Sequence, residues 1–333
     1  MSRGRNRGRR YDAEPKLNMK KVFAVIIAFV VIIMFIFVIK GAFSNGDNNT
    51  TSTISKRYFS AFKDEKWGVI DSQGNTVIDP VYQEMIVIPD EKTDVFLCTY
   101  DVDYNTGTYK TKALNSKNDE ILTGYDTIEA IANKDVNSLW YEENILKVKK
   151  DGKYGLIDLK GKEILPIEYD DIQATLGVKN SLKIQKDGKY GVISILGKNI
   201  LPIQYKEIKV DEYYEAENAY RYSGYIVGND TDKGTMYKYI NYKTNIETKS
   251  EYQDIKRIVD YEDKDKFYLI YEKDNKYGVI EDENTIINNE YDNIEYDNLN
   301  QLFIVKKDGK YGIVKLNGET LISCLYDEID IEG

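Results

Sequence analysis

One phrase recurs along this chain and constrains its fold more than any other feature. It reads DGKYGLIDLKGKEILPIEYDDI from Asp151, DGKYGVISILGKNILPIQYKEI from Asp187 and DGKYGIVKLNGETLISCLYDEI from Asp308. Looser versions start at Lys66 (KWGVIDSQGNTVIDPVYQEM) and at Lys276 (KYGVIEDENTIINNEYDNI). The glycine after the aromatic stands at 68, 155, 191, 278 and 312, and a closing tyrosine follows it by 14, 14, 14, 13 and 14 residues. The glycine spacings of 87, 36, 87 and 34 leave room for one more copy in each wide gap. Tyr125-Asp126-Thr127-Ile128 and Tyr252-Gln253-Asp254-Ile255 supply its closing motif, with Thr111 and Lys238 near the place of the glycine. Seven closing motifs across residues 57–333 give about 40 residues per unit, a period that marks a chain of stacked supersecondary units.

Each unit reads as four short strands. The first alternates, as in Leu146-Lys147-Val148-Lys149 and Leu182-Lys183-Ile184-Gln185, and ends at an Asp-Gly hairpin signal. The second is Tyr-Gly-Leu-Ile-Asp or its equivalent, turned by Gly74, Gly161, Gly197 or Gly318. The third is expected to stop at Pro166 or Pro202, and the fourth to begin at Tyr-Asp-x-Ile and run into the next unit. No segment after residue 56 carries a helical period, so the class is all-β. Seven such units are expected to close into a seven-bladed β-propeller, which leaves only short edges, and the open alternative is a β-solenoid with capped ends. Nothing at Arg57 or Gly333 has the character of a cap, which favours closure.

Lys66-Trp67-Gly68-Val69-Ile70-Asp71 and the Lys-Tyr-Gly-Val-Ile copies resemble the WG-repeat family, short β repeats named for an aromatic-glycine pair, here of a membrane-anchored bacterial type. The resemblance covers about five sixths of the chain, although one copy alone keeps the Trp. It implies an interaction module and transfers no catalytic residue. The signature residues Trp67, Gly68, Tyr82, Tyr154, Gly155, Tyr169, Tyr190, Gly191, Tyr205, Tyr277, Gly278, Tyr291, Tyr311, Gly312 and Tyr326 are accordingly expected to be structural. Thirteen of the 29 tyrosines fall on the two recurrent aromatic positions, where the same chemistry in every unit means packing.

The formal charge of -10 is unevenly shared. Residues 1–40 hold nine Lys or Arg against Asp12 and Glu14, or +7, which leaves -17 for the rest. An 18-residue run without a polar side chain begins at Val22 and ends at Ile39, about 27 Å of helix and close to the thickness of a bilayer core. The organisation expected is a basic cytoplasmic tail (1–21), a transmembrane helix (22–39), a flexible polar linker (40–56) and the repeat domain (57–333). The basic tail keeps the N-terminus inside and places the repeats outside. Ala42-Phe43-Ser44 would suit a signal peptidase, but the apolar run is longer than a signal peptide needs.

The chain contains no His, which removes Ser-His-Asp and Cys-His catalysis and His-ligated metals. No nucleophile elbow, P-loop or dinucleotide fingerprint appears, and paired carboxylates acting on a glycoside are the one enzymatic alternative. No cofactor is expected, and -17 on the outer part disfavours nucleic acid. Candidate binding residues are five of the tyrosines outside the two recurrent positions, Tyr213, Tyr214, Tyr220, Tyr222 and Tyr225, crowded with Arg221 into one insertion of the fifth unit. Two enlarged hairpin loops, one with Asp101, Asp103 and Asn105 and one with Asp230 and Asp232, have oxygen-rich alternation that suits Ca²⁺. The first has Lys112 where an EF-hand has its closing Glu, so no metal site is assigned. Cys98 and Cys324, two units apart in a ring, are not expected to pair. The reading is a membrane-anchored β-repeat domain that binds an envelope protein or a surface polymer.

Overall fold

The computed structural model describes residues 57–90, 93–135, 138–215, 219–241, 247–259, 267–281 and 284–330. The chain divides into two units, Met1–Thr53 and Ile54–Gly333. The expected membrane helix and linker lie outside the described residues, and among the described residues no helix is long and apolar enough to cross a membrane. The described chain is all strand and turn, arranged as small antiparallel sheets.

Unit one contains Tyr58–Lys63 (β1), Lys66–Asp71 (β2) and Thr76–Tyr82 (β3); unit two contains Phe96–Asp103 (β4), Thr108–Leu114 (β5) and Glu120–Ile121 (β6). Unit three opens with Thr127–Glu129 (β7), inserts a hairpin of Ala132–Lys134 (β8) and Leu139–Tyr141 (β9), and continues with Ile145–Lys150 (β10), Lys153–Asp158 (β11) and Glu163–Tyr169 (β12). Unit four is Asp171–Ala174 (β13), Ser181–Lys186 (β14), Lys189–Ser194 (β15) and Asn199–Tyr205 (β16); unit five is Glu207–Glu215 (β17), Ala219–Thr231 (β18) and Gly234–Asn241 (β19). Unit six is Asp254–Val259 (β20), Phe267–Lys273 (β21), Lys276–Glu281 (β22) and Asn284–Tyr291 (β23); unit seven is Asn293–Asp297 (β24), Leu302–Lys307 (β25), Lys310–Lys315 (β26) and Thr320–Tyr326 (β27). Units three, four, six and seven have four strands, and units one, two and five have three.

The strand that follows Tyr125, Tyr169, Tyr205, Tyr252 or Tyr291 belongs to the following sheet rather than completing its own. Asp171 pairs with Gln185 and Ile172 with Ile184, so β13 opens unit four. Each sheet is thereby stitched to the next by its backbone, with the closing tyrosine at the joint.

The third strand does not stop at proline. Pro166 lies inside β12 and Pro202 inside β16. Tyr154 faces Tyr169 and Leu156 faces Leu165, so the three residues Pro166, Ile167 and Glu168 oppose the single residue Gly155. Proline is tolerated at such a bulge because the missing N–H has no ladder partner to lose. The bulge also explains the glycine. A Cβ on Gly155 would lie 2.8 Å from Ile167 Cγ1, and on Gly68 it would lie 2.5 Å from the Ile78 carbonyl. The aromatic-glycine pair therefore consists of a packing residue and the gap through which the bulged third strand crosses.

Alternation gives every sheet two apolar faces. In unit four Leu182, Ile184 and Ile193 face unit three, where they meet Ile145, Leu156, Leu165 and Tyr169. Val192, Leu201 and Tyr205 face the other way, against Tyr225, Val227 and Ile240 of unit five. Leu182, Val192 and Leu156 are fully buried, and each such side chain contributes roughly 1.5–3 kcal/mol. Between units, Lys186 reaches Glu168 (2.8 Å) and Lys307 reaches Glu290 (2.6 Å).

Candidate functional site

Unit five departs most from the repeat. Its β17 and β18 are nine and 13 residues long, and β19 pairs with β18 only from Thr231 to Gly224. Beyond Gly224 the ladder continues as a two-stranded ribbon, with Glu212 opposite Tyr222, Tyr213 opposite Arg221, Tyr214 opposite Tyr220 and Glu215 opposite Ala219. The structure thus gathers five of the six expected binding residues on one ribbon.

Tyr225 is the exception. Its position matches core positions in the other units, and at 2 % exposure it packs against Val192, Leu201 and Tyr205. It is a core residue, and the crowding of tyrosines in the sequence concealed that one lies inside the sheet proper.

A register shift between Asp211 and Glu212 marks the root of the ribbon. There Arg257 of β20 donates through Nε to the Asp211 carboxylate, with side-chain exposures of 4 % and 13 %. This covered ion pair ties the root to unit six, and neither residue carries a sequence signal.

Beside the root, a cleft of about 490 Å³ lies between units four and five, lined by Lys183, Tyr190, Lys206, Glu207, Ile208, Lys209 and Thr235. Lys183 sits over the Tyr190 ring at 5.5 Å and Lys209 over the Tyr237 ring at 5.2 Å. Glu207 accepts from the Tyr237 hydroxyl (3.0 Å) and pairs with Lys209 (3.1 Å). A smaller cleft of about 320 Å³ between units one and two holds Lys112, placed over both Tyr82 (5.6 Å) and Tyr100 (5.4 Å). Burial works against the Lys112 ammonium, yet the Tyr82 hydroxyl beside it leaves its pKa above the ordinary value. Burial pushes the neighbouring Cys98 thiol up to about 11, which keeps it protonated and inert. Cys98 and Cys324 are both free thiols.

The two oxygen-rich loops are internally engaged. Asp103 accepts from the amides of Asn105 (2.8 Å) and Thr106 (3.4 Å), which holds its carboxyl below the usual range, and Asp101 pairs with Lys110 (3.0 Å). In unit five the loop is not enlarged. Asp230 pairs with Thr235 and Thr231 with Gly234 inside the ladder, so only Asp232 and Lys233 make the turn. Asp230 accepts from the Thr235 hydroxyl (3.0 Å) and faces Lys206 (3.5 Å). Among the described residues no group of three or more His, Cys, Asp or Glu is placed to hold a metal ion.

The hairpin inserted in unit three, β8–β9, left no mark in the repeat pattern. Buried Asn133 donates to Glu142 (2.7 Å) and to the carbonyls of Thr175 (3.2 Å) and Val178 (3.1 Å). The Glu142 carboxylate also accepts from Trp140 Nε1 (3.2 Å) and from the Asn180 amide (2.8 Å). A buried carboxylate with three donors is satisfied, so this cluster acts as a latch onto unit four.

Among curated proteins none matches the sequence. Two solved structures are similar only loosely: "Crystal structure of the eukaryotic initiation factor", at 12% identity and a TM-score of 0.32 over 80% of this chain and 73% of that one, and "Structure of apo AztD from Citrobacter koseri", at 12% and 0.27 over 83% and 82%. Neither supports an argument about fold or function. Residues 67–89, 154–190 and 278–311 match the model of the WG containing repeat. Those segments hold the aromatic-glycine pairs Trp67-Gly68 of unit one and Tyr154-Gly155 of unit three, and Gly278 of unit six; over these three segments this β-repeat chain is similar to the WG containing repeat.

Proposed function

We propose that this protein is a single-pass membrane protein with its N-terminus inside, anchored by residues 22–39, whose outer repeat domain forms a seven-unit propeller. The domain acts as a binding or scaffold module for an envelope protein or a surface polymer, and the ribbon of unit five makes the contact. One observation carries this reading. Recurrent tyrosines such as Tyr169, Tyr205 and Tyr252 are buried in the cores, whereas β17 and β18 extend past their own sheet and carry tyrosines that the repeat does not require. Tyrosine supplies broad contact area at a low entropic cost, which suits a docking surface. The charged side chains between sheets, such as Lys186 with Glu168 and Lys153 with Asp170, are arranged for cohesion rather than for proton transfer. The protein is therefore read as a non-enzyme.

The test compares full-length protein with a variant in which residues 212–222 are replaced by a two-residue Asn-Gly turn. Detergent-solubilised envelope is passed over each, and glycan arrays are probed in parallel. Retention of a protein or glycan by the full chain and its loss in the variant, at unchanged melting temperature, supports the reading. Equal retention by both sinks the assignment to the ribbon.

A further inference from the structure

The closing motif is also a strand donor. After Tyr125, Tyr169, Tyr205, Tyr252 and Tyr291 the chain enters β7, β13, β17, β20 and β24, each the first strand of the next sheet. After Tyr82 the same step survives as a bridge between Val87 and Leu97 of β4. The isoleucine three residues past the tyrosine is buried at each of the five strands, as Ile128, Ile172, Ile208, Ile255 and Ile294. The seventh motif, Tyr326-Asp327-Glu328-Ile329, has the same spacing, but no strand follows it among the described residues. Tyr326 is 53 % exposed, against 8 % for Tyr169 and 5 % for Tyr205. Asp327 nevertheless already pairs with Lys310, as Asp170 does with Lys153 and Asp292 with Lys276.

Unit one shows the complementary deficit. Its sheet runs β1-β2-β3, and among the described residues β1 has no neighbour on its other edge. The faces at the two ends are apolar and incompletely covered: Phe59, Ala61 and Ile70 in unit one, Ile322 and Tyr326 in unit seven. In unit four Ile172 faces Ile184, which in turn faces Gly191; in unit one the residue facing Gly68 is Ala61. The same register sets Ile329 opposite Ala61, Glu328 opposite Phe62 and Asp330 opposite Ser60. The hairpin turn also corresponds: Asp64 and Glu65 have φ of 50° and 60°, like Asp187 and Gly188 at 50° and 72°. The carboxylate of Asp126 accepts from the turn amide of Asp151 (2.9 Å), and that of Asp170 from Gly188 (3.4 Å). Asp327 is the residue that would accept from the turn of unit one. Charge agrees as well, since the acidic 327–330 segment would run beside Arg57, Lys63 and Lys66.

We propose that residues 328–330 pair antiparallel with β1 of the same chain, supplying unit one with the strand it lacks and closing the seven units into a ring. The proposal rests on the propeller reading and names the segment that shuts it. The same chain is the occupant because one unclaimed strand and one open edge are joined by a single tether, whose effective concentration reaches the millimolar range and exceeds that of any second copy in dilute solution.

The test uses the full-length chain with Cys98→Ala and Cys324→Ala, carrying Ala61→Cys and Ile329→Cys, whose Cβ atoms in this register would sit about 5 Å apart. Mild oxidation is expected to give an intramolecular disulfide that migrates as monomer, at several-fold higher yield than the off-register pair Ala61→Cys with Glu328→Cys. A ladder of disulfide-linked multimers would overturn the proposal by placing the strand on a second copy. If no disulfide forms, spin labels at Glu65 and Asn317 separate the two ideas. A short distance leaves the ring standing and overturns the strand, and a long one overturns both. Because Cys98 is buried, amide exchange on the unaltered chain is an independent check: the Ser60 to Phe62 amides should exchange as slowly as those of β14, and exchange at the rate of an open edge would overturn the proposal.

Discussion

At the scale of single residues, the two glycines of a unit do different work. Gly155 and Gly191 are absences of a side chain, required because the bulged strand crosses at contact distance; a Cβ on Gly191 would lie 2.9 Å from Ile203 Cγ1 and 3.0 Å from its Cα. Gly188 and Gly152 have open space around them but φ near +75°, at 72° and 79°. Gly191→Ala should therefore cost about 1–3 kcal/mol by overpacking, and Gly188→Ala about 1–2 kcal/mol by backbone strain alone. Urea titration of the two variants measures both costs; no cost at Gly191 would refute the clash, and no cost at Gly188 would refute the strain. The aromatic-glycine spacing was fully legible in the sequence. Its reason was not, because the clash of Gly191 is with Ile203, on a strand that the chain reaches only after another turn.

Titration also belongs at this scale. Asp71, Asp103, Asp170, Asp230 and Asp292 all have carboxyls held below their ordinary value by hydrogen bonds and lysines. A lowered folded-state pKa gives stability that is present above about pH 4 and lost as pH falls through the folded values. At the other end, the Cys98 thiol is raised to about 11 and the Tyr109 hydroxyl to about 12, the latter by burial and by its hydrogen bond to Glu129. Groups raised on folding stabilise below their unfolded pKa, so stability should decline from about pH 9 upward. With no His in the chain, the melting temperature should be flat between about pH 5 and 8. Thermal scans from pH 2 to 11 test all three regions, and a step near pH 6.5 would contradict them.

At the scale of elements, the ribbon depends on its root. Arg257→Ala would take the guanidinium away from a nearly covered Asp211 carboxylate, and breaking such a pair costs about 3–5 kcal/mol, whereas Arg257→Met with Asp211→Leu should recover most of that. A double-mutant cycle in denaturant measures the coupling, and additive costs would show that the pair does not act as a unit. The latch of β8–β9 makes a parallel case: Asn133→Ala removes a donor from the Glu142 carboxylate and should cost about 1–3 kcal/mol, with Trp140 fluorescence reporting the detachment of the hairpin. Neither attachment was readable from the chain. Both are held by polar pairs distant in sequence, Asp211 with Arg257 and Asn133 with Thr175, and local periodicity carries no trace of such pairs. The ribbon was visible as a crowd of tyrosines, but the boundary that puts Tyr225 in the core and Tyr222 beyond the sheet required the register with β19.

At the scale of the whole molecule, stability is a sum over neighbours. A middle sheet such as that of unit four buries one face on the unit before it and one on the unit after it, so a cavity there loosens two interfaces. Leu182→Ala in unit four, fully buried against unit three, should cost about 2–5 kcal/mol, while Leu325→Ala, 72 % exposed on unit seven, should cost under 0.5 kcal/mol. Denaturant midpoints of the two variants decide this, and a large cost at Leu325 would mean that the outer strand of unit seven is covered in solution. By itself the sequence determined the unit, its all-β character and most of the turns, because hairpin chemistry and alternation are local and recur along the chain, and the aromatic-glycine pair recurs five times. Only the tertiary structure decided which sheet each closing strand joins, where the bulge falls and which residues escape the core, because pairing partner, strand crossing and burial are set by residues that meet in space after the chain has turned back on itself.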